Sequence, residues 1–215
     1  MHSSPLNSQN LVIVISGPSG GGKSTVAQVL CENDDTLRLS ISATTRKARP
    51  DEIDGENYHF LTKFEFEENI KNNYFIEWAK YREHYYGTPK SEIDVSRKEG
   101  KDTVLEIDVN GALQIKKQHL TPANSILIFL IPSTYDILEK RLRGRNTESE
   151  DELKNRLEIA KTELQLIAQY DYCVVNPEDD VEQAVYQIRN IISAERLRIN
   201  PEQTTTFLQN FGLPI

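Results

Sequence analysis

The sequence predicts an α/β fold: a mostly parallel sheet flanked by helices, with one small mixed α+β insertion. Short apolar, β-branched runs alternate with amphipathic helical segments along most of the chain. Strands that alternate with helices build a parallel sheet through helical crossovers. The alternation fails once, over residues 43–88, where aromatic and turn-forming residues replace it. The 215 residues, 38% hydrophobic and 27% charged, suit one compact core and exclude disorder for the bulk.

Leu11–Ile15 is apolar and ends at Gly17, which reads as a buried parallel strand. A helix follows from Lys23 to Cys31, with Val26, Val29 and Leu30 on one side. Leu37–Ile41, Thr103–Ile107, Ser125–Ile131 and Tyr172–Val175 supply the other core strands. Ser91–Glu99, Gly111–His119, Thr134–Arg143 and Glu150–Ala168 are the connecting helices. The last carries Leu153, Leu157, Ala160, Leu164 and Ile167 at alternating steps of four and three, a single apolar stripe. Val181, Val185, Ile188 and Ile192 mark a final amphipathic helix. Within the insertion, Asn57–Leu61 and Phe75–Tyr81 read as short strands around a helix at Lys63–Lys71. Residues 144–150 form a polar break between two helices. This divides the chain into a core of 11–42 and 89–200, an insertion of 43–88, and frayed or unassigned termini at 1–10 and 201–215.

Composition narrows the partners. With 25 Lys+Arg against 33 Asp+Glu the net charge is -8, which argues against nucleic acid and anionic membrane as partners. No apolar run approaches the ~18 residues of a membrane span. Met1–Asn10 lacks the basic and apolar regions of a signal peptide. Cys31 and Cys173, far apart and among apolar neighbours, read as two buried thiols of a reducing compartment. The four histidines show no metal-ligand spacing. A cytoplasmic protein with small-molecule partners is expected; homo-oligomerisation stays open.

Gly17, Pro18, Ser19, Gly20, Gly21, Gly22, Lys23 and Ser24 fit G-x-x-x-x-G-K-[ST], between a strand and a helix that opens on through Thr25. Such glycines permit positive φ, so backbone N–H groups close around phosphate oxygens at a helix N-terminus. Lys23 would reach the β/γ-phosphates, and the Ser24 hydroxyl would ligate Mg²⁺. This loop indicates a nucleoside triphosphate without fixing the reaction. Asp108, at the end of the Thr103–Ile107 strand, can stand near the magnesium or cap the helix that begins near Gly111; both roles are compatible.

Arg46 and Arg49, three apart beside Pro50, can fork an anion bidentately or form a solvated charge run. Arg141, Arg145 and Arg156 surround the polar break, and suit either a closing lid over the phosphates or surface ion pairs. Arg143 reads as solvated.

Taken together, the chain resembles guanylate kinase, of the nucleoside monophosphate kinase superfamily, from about Leu11 to Ile192. The resemblance is carried by GPSGGGKST (17–25), SISATTRKARPDEIDGENYHF (40–60), FIEWA (75–79), YYGTP (85–89), LEIDVNGA (105–112), KRLRGR (140–145) and NRL (155–157). It implies a P-loop core, a GMP-binding insertion and a helical lid over about residues 132–158. It also implies ATP and Mg²⁺ as cofactors and GMP or dGMP as acceptor. Arg46, Arg49, Tyr58 and Tyr86 match positions that bind the GMP phosphate. Ser42, Glu77, Thr88 and Asp108 match positions around the guanine, and Gly87 belongs to the same substrate-binding set. Lys23, Arg141, Arg145 and Arg156 match groups on the ATP phosphates or the moving phosphoryl, and Asn176 falls beside the adenine. Glu106 stands where many members have Asp, which leaves a base or ribose contact open. Thr88 replaces a Ser of some members and keeps the hydroxyl.

The chemistry supports the carry-over. Guanine offers N1–H and N2–H₂ donors that one carboxylate such as Glu77 can accept, while hydroxyls donate to O6. A GMP phosphate is already largely anionic, since its second pKa is about 6, so no general base is required. Three rivals fit less well. A kinase for another acceptor would not explain Ser42, Glu77 and Thr88. A non-catalytic protein-binding module of the same family tends to lose the loop and lid residues kept here. A regulatory GTPase would carry an Asn-Lys-x-Asp signature, which is absent.

Overall fold

A computed structural model describes residues 10–81, 83–118, 125–144, 150–199, 204 and 208–210. Its centre is a five-stranded sheet of order β2-β7-β1-β8-β9, with every pairing parallel. The strands are β1 (Val12–Ser16), β2 (Leu37–Leu39), β7 (Asp102–Glu106), β8 (Ser125–Pro132) and β9 (Tyr172–Asn176). The apolar run Val12–Ile15 of β1 follows from its central place. Ile13 and Ile15 face one layer of the core, with α1 (Lys23–Glu32) and α7 (Val181–Glu195). Val12 and Val14 face the other, with Ala112 and Ile115 of α4 (Val109–Gln118). A strand covered on both faces is spelt mainly in apolar residues, and the one polar side chain of β1, Ser16 at its end, is buried against the Tyr170 hydroxyl.

Between β2 and α3 (Ser91–Lys98) lies a second sheet of order β4-β3-β6-β5. It comprises β3 (Ala43–Thr44), β4 (His59–Phe60), β5 (Phe75–Tyr81) and β6 (His84–Pro89). β3 and β4 pair parallel, whereas β6 pairs antiparallel with β3 and with β5. The sheet is therefore mixed, as expected, but it has two strands that the sequence reading lacked. β3 is two residues long, and β6 (HYYGTP) has no alternating pattern because Gly87, Thr88 and Pro89 are all buried. α2 (Lys63–Lys71) begins with a reciprocal cap: Thr62 Oγ1 accepts from the Glu65 N–H, and Glu65 accepts from the Thr62 N–H. α2 sends Phe66 into this sheet, where it stacks on Phe75 (4.3 Å) and Tyr85 (5.3 Å).

α5 (Tyr135–Arg143) and α6 (Glu150–Leu164) pack on each other through Leu138, Leu142, Leu153, Leu157 and Ala160, a core separate from the main one. α6 stops at Leu164, short of the expected Ala168, and Ile167–Gln169 is a 3₁₀ turn leading into β9. β2 ends at Leu39 rather than Ile41, where the chain leaves for the second sheet. The reading of two buried thiols is corrected: Cys31 is half-buried and Cys173 is exposed. Cys173 lies on β9, the sheet's edge strand, whose burial alternates, so Val174 faces inward and Cys173 and Val175 outward. Most of the 201–215 tail and of the 144–150 break lies outside the described residues.

Candidate active site

β1 ends at Ser16 in the middle of the sheet, and the chain turns through residues 17–22 into α1. Gly22 is the N-cap of α1 at φ 88°, a left-handed conformation that glycine adopts without steric cost. Glycine brings no capping side chain, so the first-turn N–H groups and their partial positive charge point into the loop. Lys23 Nζ curls over the loop onto the carbonyls of Gly17 (2.8 Å) and Pro18 (3.2 Å). Ser24 and Thr25 follow on the exposed side of the first turn.

Residues from the far end of the chain close on this loop. Asn176, the last residue of β9 and 4% exposed, donates to the Gly21 carbonyl (2.9 Å). Arg141 of α5 reaches the carbonyls of Gly21 (3.4 Å), Asn176 (3.3 Å) and Pro177 (2.6 Å). Arg156 of α6 donates to Ser19 Oγ (2.7 Å). Glu163, two helical turns beyond Arg156, shares this neighbourhood. Burial pushes its carboxyl above the usual range, although Lys23 and the Ser19 N–H oppose the rise. Its Oε2 is buried and has no hydrogen-bond partner among the described residues. Arg145 lies outside the described residues.

A second cluster forms where the two sheets meet. Glu77 of β5, 5% exposed, sits opposite Thr88 of β6, whose Oγ1 donates to Glu77 Oε1 at 2.7 Å. Burial raises the Glu77 carboxyl to about 7; Thr88 opposes the rise and the Asp108 charge adds to it. Asp108 accepts the Gly111 N–H at 2.7 Å, the bond of a helix N-cap, so the capping role is realised. Its charge also raises Glu163 and Tyr170, whose hydroxyl bonds Ser16 Oγ (3.0 Å). Asp108 therefore stands between the Glu77 cluster and the phosphate loop. Gly87 pairs with Trp78 and Ala43 inside the sheet. The Ser42 carbonyl takes the His59 N–H (2.9 Å).

The arginines beside Pro50 form a third group. Arg46 holds Glu52 through both ends of its fork, at 2.7 and 2.8 Å. Its guanidinium lies over the rings of Tyr58 (5.1 Å) and Phe60 (5.6 Å), with Tyr86 also within bonding reach. Glu52 also accepts the Arg49 N–H (2.7 Å), while the Arg49 side chain is 71% exposed. These hydrogen bonds hold the Glu52 carboxyl down at about 2. Burial raises the Tyr58 phenol and the Glu106 charge adds to it, which places Glu106, at the end of β7, on this side as well.

Several of these groups were not singled out from the sequence. Glu52 stands six after Arg46 and three after Arg49, a spacing that a tight turn converts into a fork. Glu163 shares a helix face with Arg156 at a step of seven. Glu92, 4% exposed in the first turn of α3, accepts from Arg38 (2.8 Å) and the Ile41 N–H (2.9 Å), with His59 at 3.4 Å. It thus ties both sheets to the strand of chain that joins them. Gln114 of α4 makes a two-way bond with the Trp78 backbone (3.2 and 2.8 Å), which pins β5 to the core.

A family model described as guanylate kinase matches residues 9–195. A guanylate kinase of Caldanaerobacter subterraneus subsp. tengcongensis is 46% identical over 195 residues, covering 91% of this chain and 92% of that one. One of Onion yellows phytoplasma is 48% identical over 194 residues, 90% of each chain. A solved guanylate kinase from Anaplasma phagocytophilum is 30% identical and superposes with a TM-score of 0.75, covering 98% of this chain and 100% of that one.

Proposed function

This chain belongs to the guanylate kinase family and transfers the γ-phosphoryl group of ATP to GMP; we propose that it also accepts dGMP and that the three groups of residues divide the substrates between them. The phosphate loop with Lys23, Arg141, Arg156 and Asn176 takes ATP, and the family pattern assigns Arg145 to the same phosphates. The group of Arg46, Arg49, Tyr58 and Tyr86 takes the GMP phosphate. Glu77 and Thr88, with Ser42 and Asp108, read the base, and Glu106, on the Tyr58 side, contacts the base or the ribose. The observation that carries this division is the buried Glu77–Thr88 pair at 2.7 Å. A carboxylate held this way presents one acceptor to guanine N1–H and N2–H₂, a donor pair that adenine lacks. An adenine there would leave the carboxylate buried and unpaired, which a site rejects by roughly 10⁴–10⁵.

The transfer needs alignment and charge neutralisation more than proton chemistry. Lys23 moves from the loop carbonyls to the phosphates, and Arg145 and Arg156 meet the charge of the transferring group. Arginines in this role contribute roughly 10³–10⁵ in rate. Closure of α5–α6 and of the second sheet over the substrates excludes water and so suppresses ATP hydrolysis. The donor set suits Mg²⁺: Ser24 and Asp108 are hard oxygen ligands, and Glu163 has a buried oxygen with no hydrogen-bond partner among the described residues, within the influence of Lys23. Ser24 would hold the ion, which would supply positive charge to the phosphates. The net charge of -8 supports small-molecule partners, and the free thiols of Cys31 and Cys173 support a reducing, cytoplasmic location. No helix among the described residues is long and apolar enough to cross a membrane.

The test is a coupled ADP-release assay across a panel of nucleoside monophosphates. GMP and dGMP are expected to turn over, with AMP, CMP and UMP near background. Preferred turnover of another acceptor would overturn the base-reading assignment.

A further inference from the structure

Gly111 is the third residue of α4 and is buried. A Cβ placed on it would lie 2.5 Å from Glu77 Oε2, 3.1 Å from Glu77 Cδ and 3.4 Å from Asp108 Oδ1. Side chains do not tolerate the first of these distances, so one partner would have to move. The backbone itself does not call for glycine here. Gly111 is absent from the glycines of positive φ, and alanine is the better helix former.

Neither backbone is free to yield. β5 is tied to α4 by the two bonds between Trp78 and Gln114, and to β6 by the Glu77–Thr88 pairing. The Gly111 N–H is itself engaged with Asp108. The Glu77 carboxylate would give way, swinging off Thr88.

We propose that Gly111 is a specificity-determining position: its bare Cα lets Glu77 seat its carboxylate against the first turn of α4, in the pose that accepts the guanine 2-amino group. This rests on the reading of Glu77 as the guanine acceptor. With a methyl group at 111 the carboxylate is displaced, and GMP loses its advantage over IMP, which has the same N1–H and O6 but no 2-amino group.

The experiment compares kcat/KM for GMP and IMP in four proteins: wild type, Gly111→Ala, Glu77→Ala and the double variant. In Gly111→Ala the GMP/IMP ratio is expected to fall roughly 10- to 100-fold, the value of one hydrogen bond to a charged group. In the Glu77→Ala background the same change is expected to leave the ratio unaltered, since no carboxylate remains to displace. An unchanged ratio in Gly111→Ala, or an equal loss for GMP and IMP, overturns the proposal. If Gly111→Ala fails to fold, recovery of folding in the double variant supports the contact, and a double variant that also fails to fold overturns it. The two readings fail differently. A GMP/IMP ratio retained in Glu77→Ala removes Glu77 from the guanine and this proposal with it. A ratio lost in Glu77→Ala but kept in Gly111→Ala removes Gly111 alone.

Discussion

Replacing Glu77 by Gln should make the protein more stable as it makes the enzyme worse, and the gain should depend on pH in a specific direction. Burial holds the Glu77 carboxyl at about 7, against 4.5 for a free glutamate. Between those values the folded chain keeps a proton that the unfolded chain has released. Stability therefore falls as pH rises from 4.5 to 7, and the deficit is complete above 7. This is the reverse of a salt-bridged carboxylate, whose folded value is depressed. Each pH unit between the two values is worth about 1.4 kcal/mol, so the full deficit is about 3 kcal/mol. Gln keeps an acceptor for Thr88 and can donate toward Asp108, but it does not ionise.

The assay is thermal unfolding of both proteins from pH 5 to pH 8. The difference in their stabilities should be small at pH 5 and should open to about 3 kcal/mol by pH 8. For a chain of this size that corresponds to roughly 6–12 °C in Tm. Saturating GMP should narrow the gap, because it stabilises wild type by about 2.7 kcal/mol at 100-fold over Kd while the variant binds it poorly. A difference that does not vary with pH, or a variant less stable than wild type at pH 8, would refute the account of Glu77 as a buried, destabilising acceptor.

Two further outcomes follow from the same geometry. Lys23→Ala should lose about 10²–10³ in kcat with every acceptor, the usual cost of one preorganised charge donor, while calorimetry finds GMP affinity within threefold of wild type; a matching loss of GMP affinity would place Lys23 in the wrong cluster. Phe66→Ala, which removes the ring stacked between Phe75 and Tyr85, should cost about 3–5 kcal/mol. Because that ring supports β5 and β6, KM for GMP should rise more than KM for ATP; equal changes in both would mean that the second sheet does not carry the acceptor.

What the sequence disclosed and what it hid divide along a physical line. The phosphate loop, the five core strands and the α6 stripe are local patterns. Each is decided by residues within one strand or one helical turn of each other, so spacing alone reveals them. β6 escaped because its buried residues, Gly87, Thr88 and Pro89, are consecutive and mostly not apolar, so no alternation marks it. Cys173 misled because its neighbours are apolar on an edge strand, where every second residue faces out. Asp108 was read two ways, and its bond to the Gly111 N–H satisfies the local one while its charge reaches Glu77 and Glu163.

Glu77 is the instructive case. In FIEWA, taken alone, it looks like an exposed strand residue, because its burial is set by α4, which begins some thirty residues later. The sequence does hold the missing half, in the glycine of IDVNGA. A glycine inside a helix start, where alanine would be favoured, signals that something must pass close to the backbone. In this fold the neighbour is the Glu77 carboxylate. The acid proposed to read the base and the glycine that makes room for it thus belong to one device, written in two segments that the packing of β5 against α4 brings together. A carboxylate kept buried at a cost to stability, with the space for it cleared on another element, is expected where function rather than folding sets the residue.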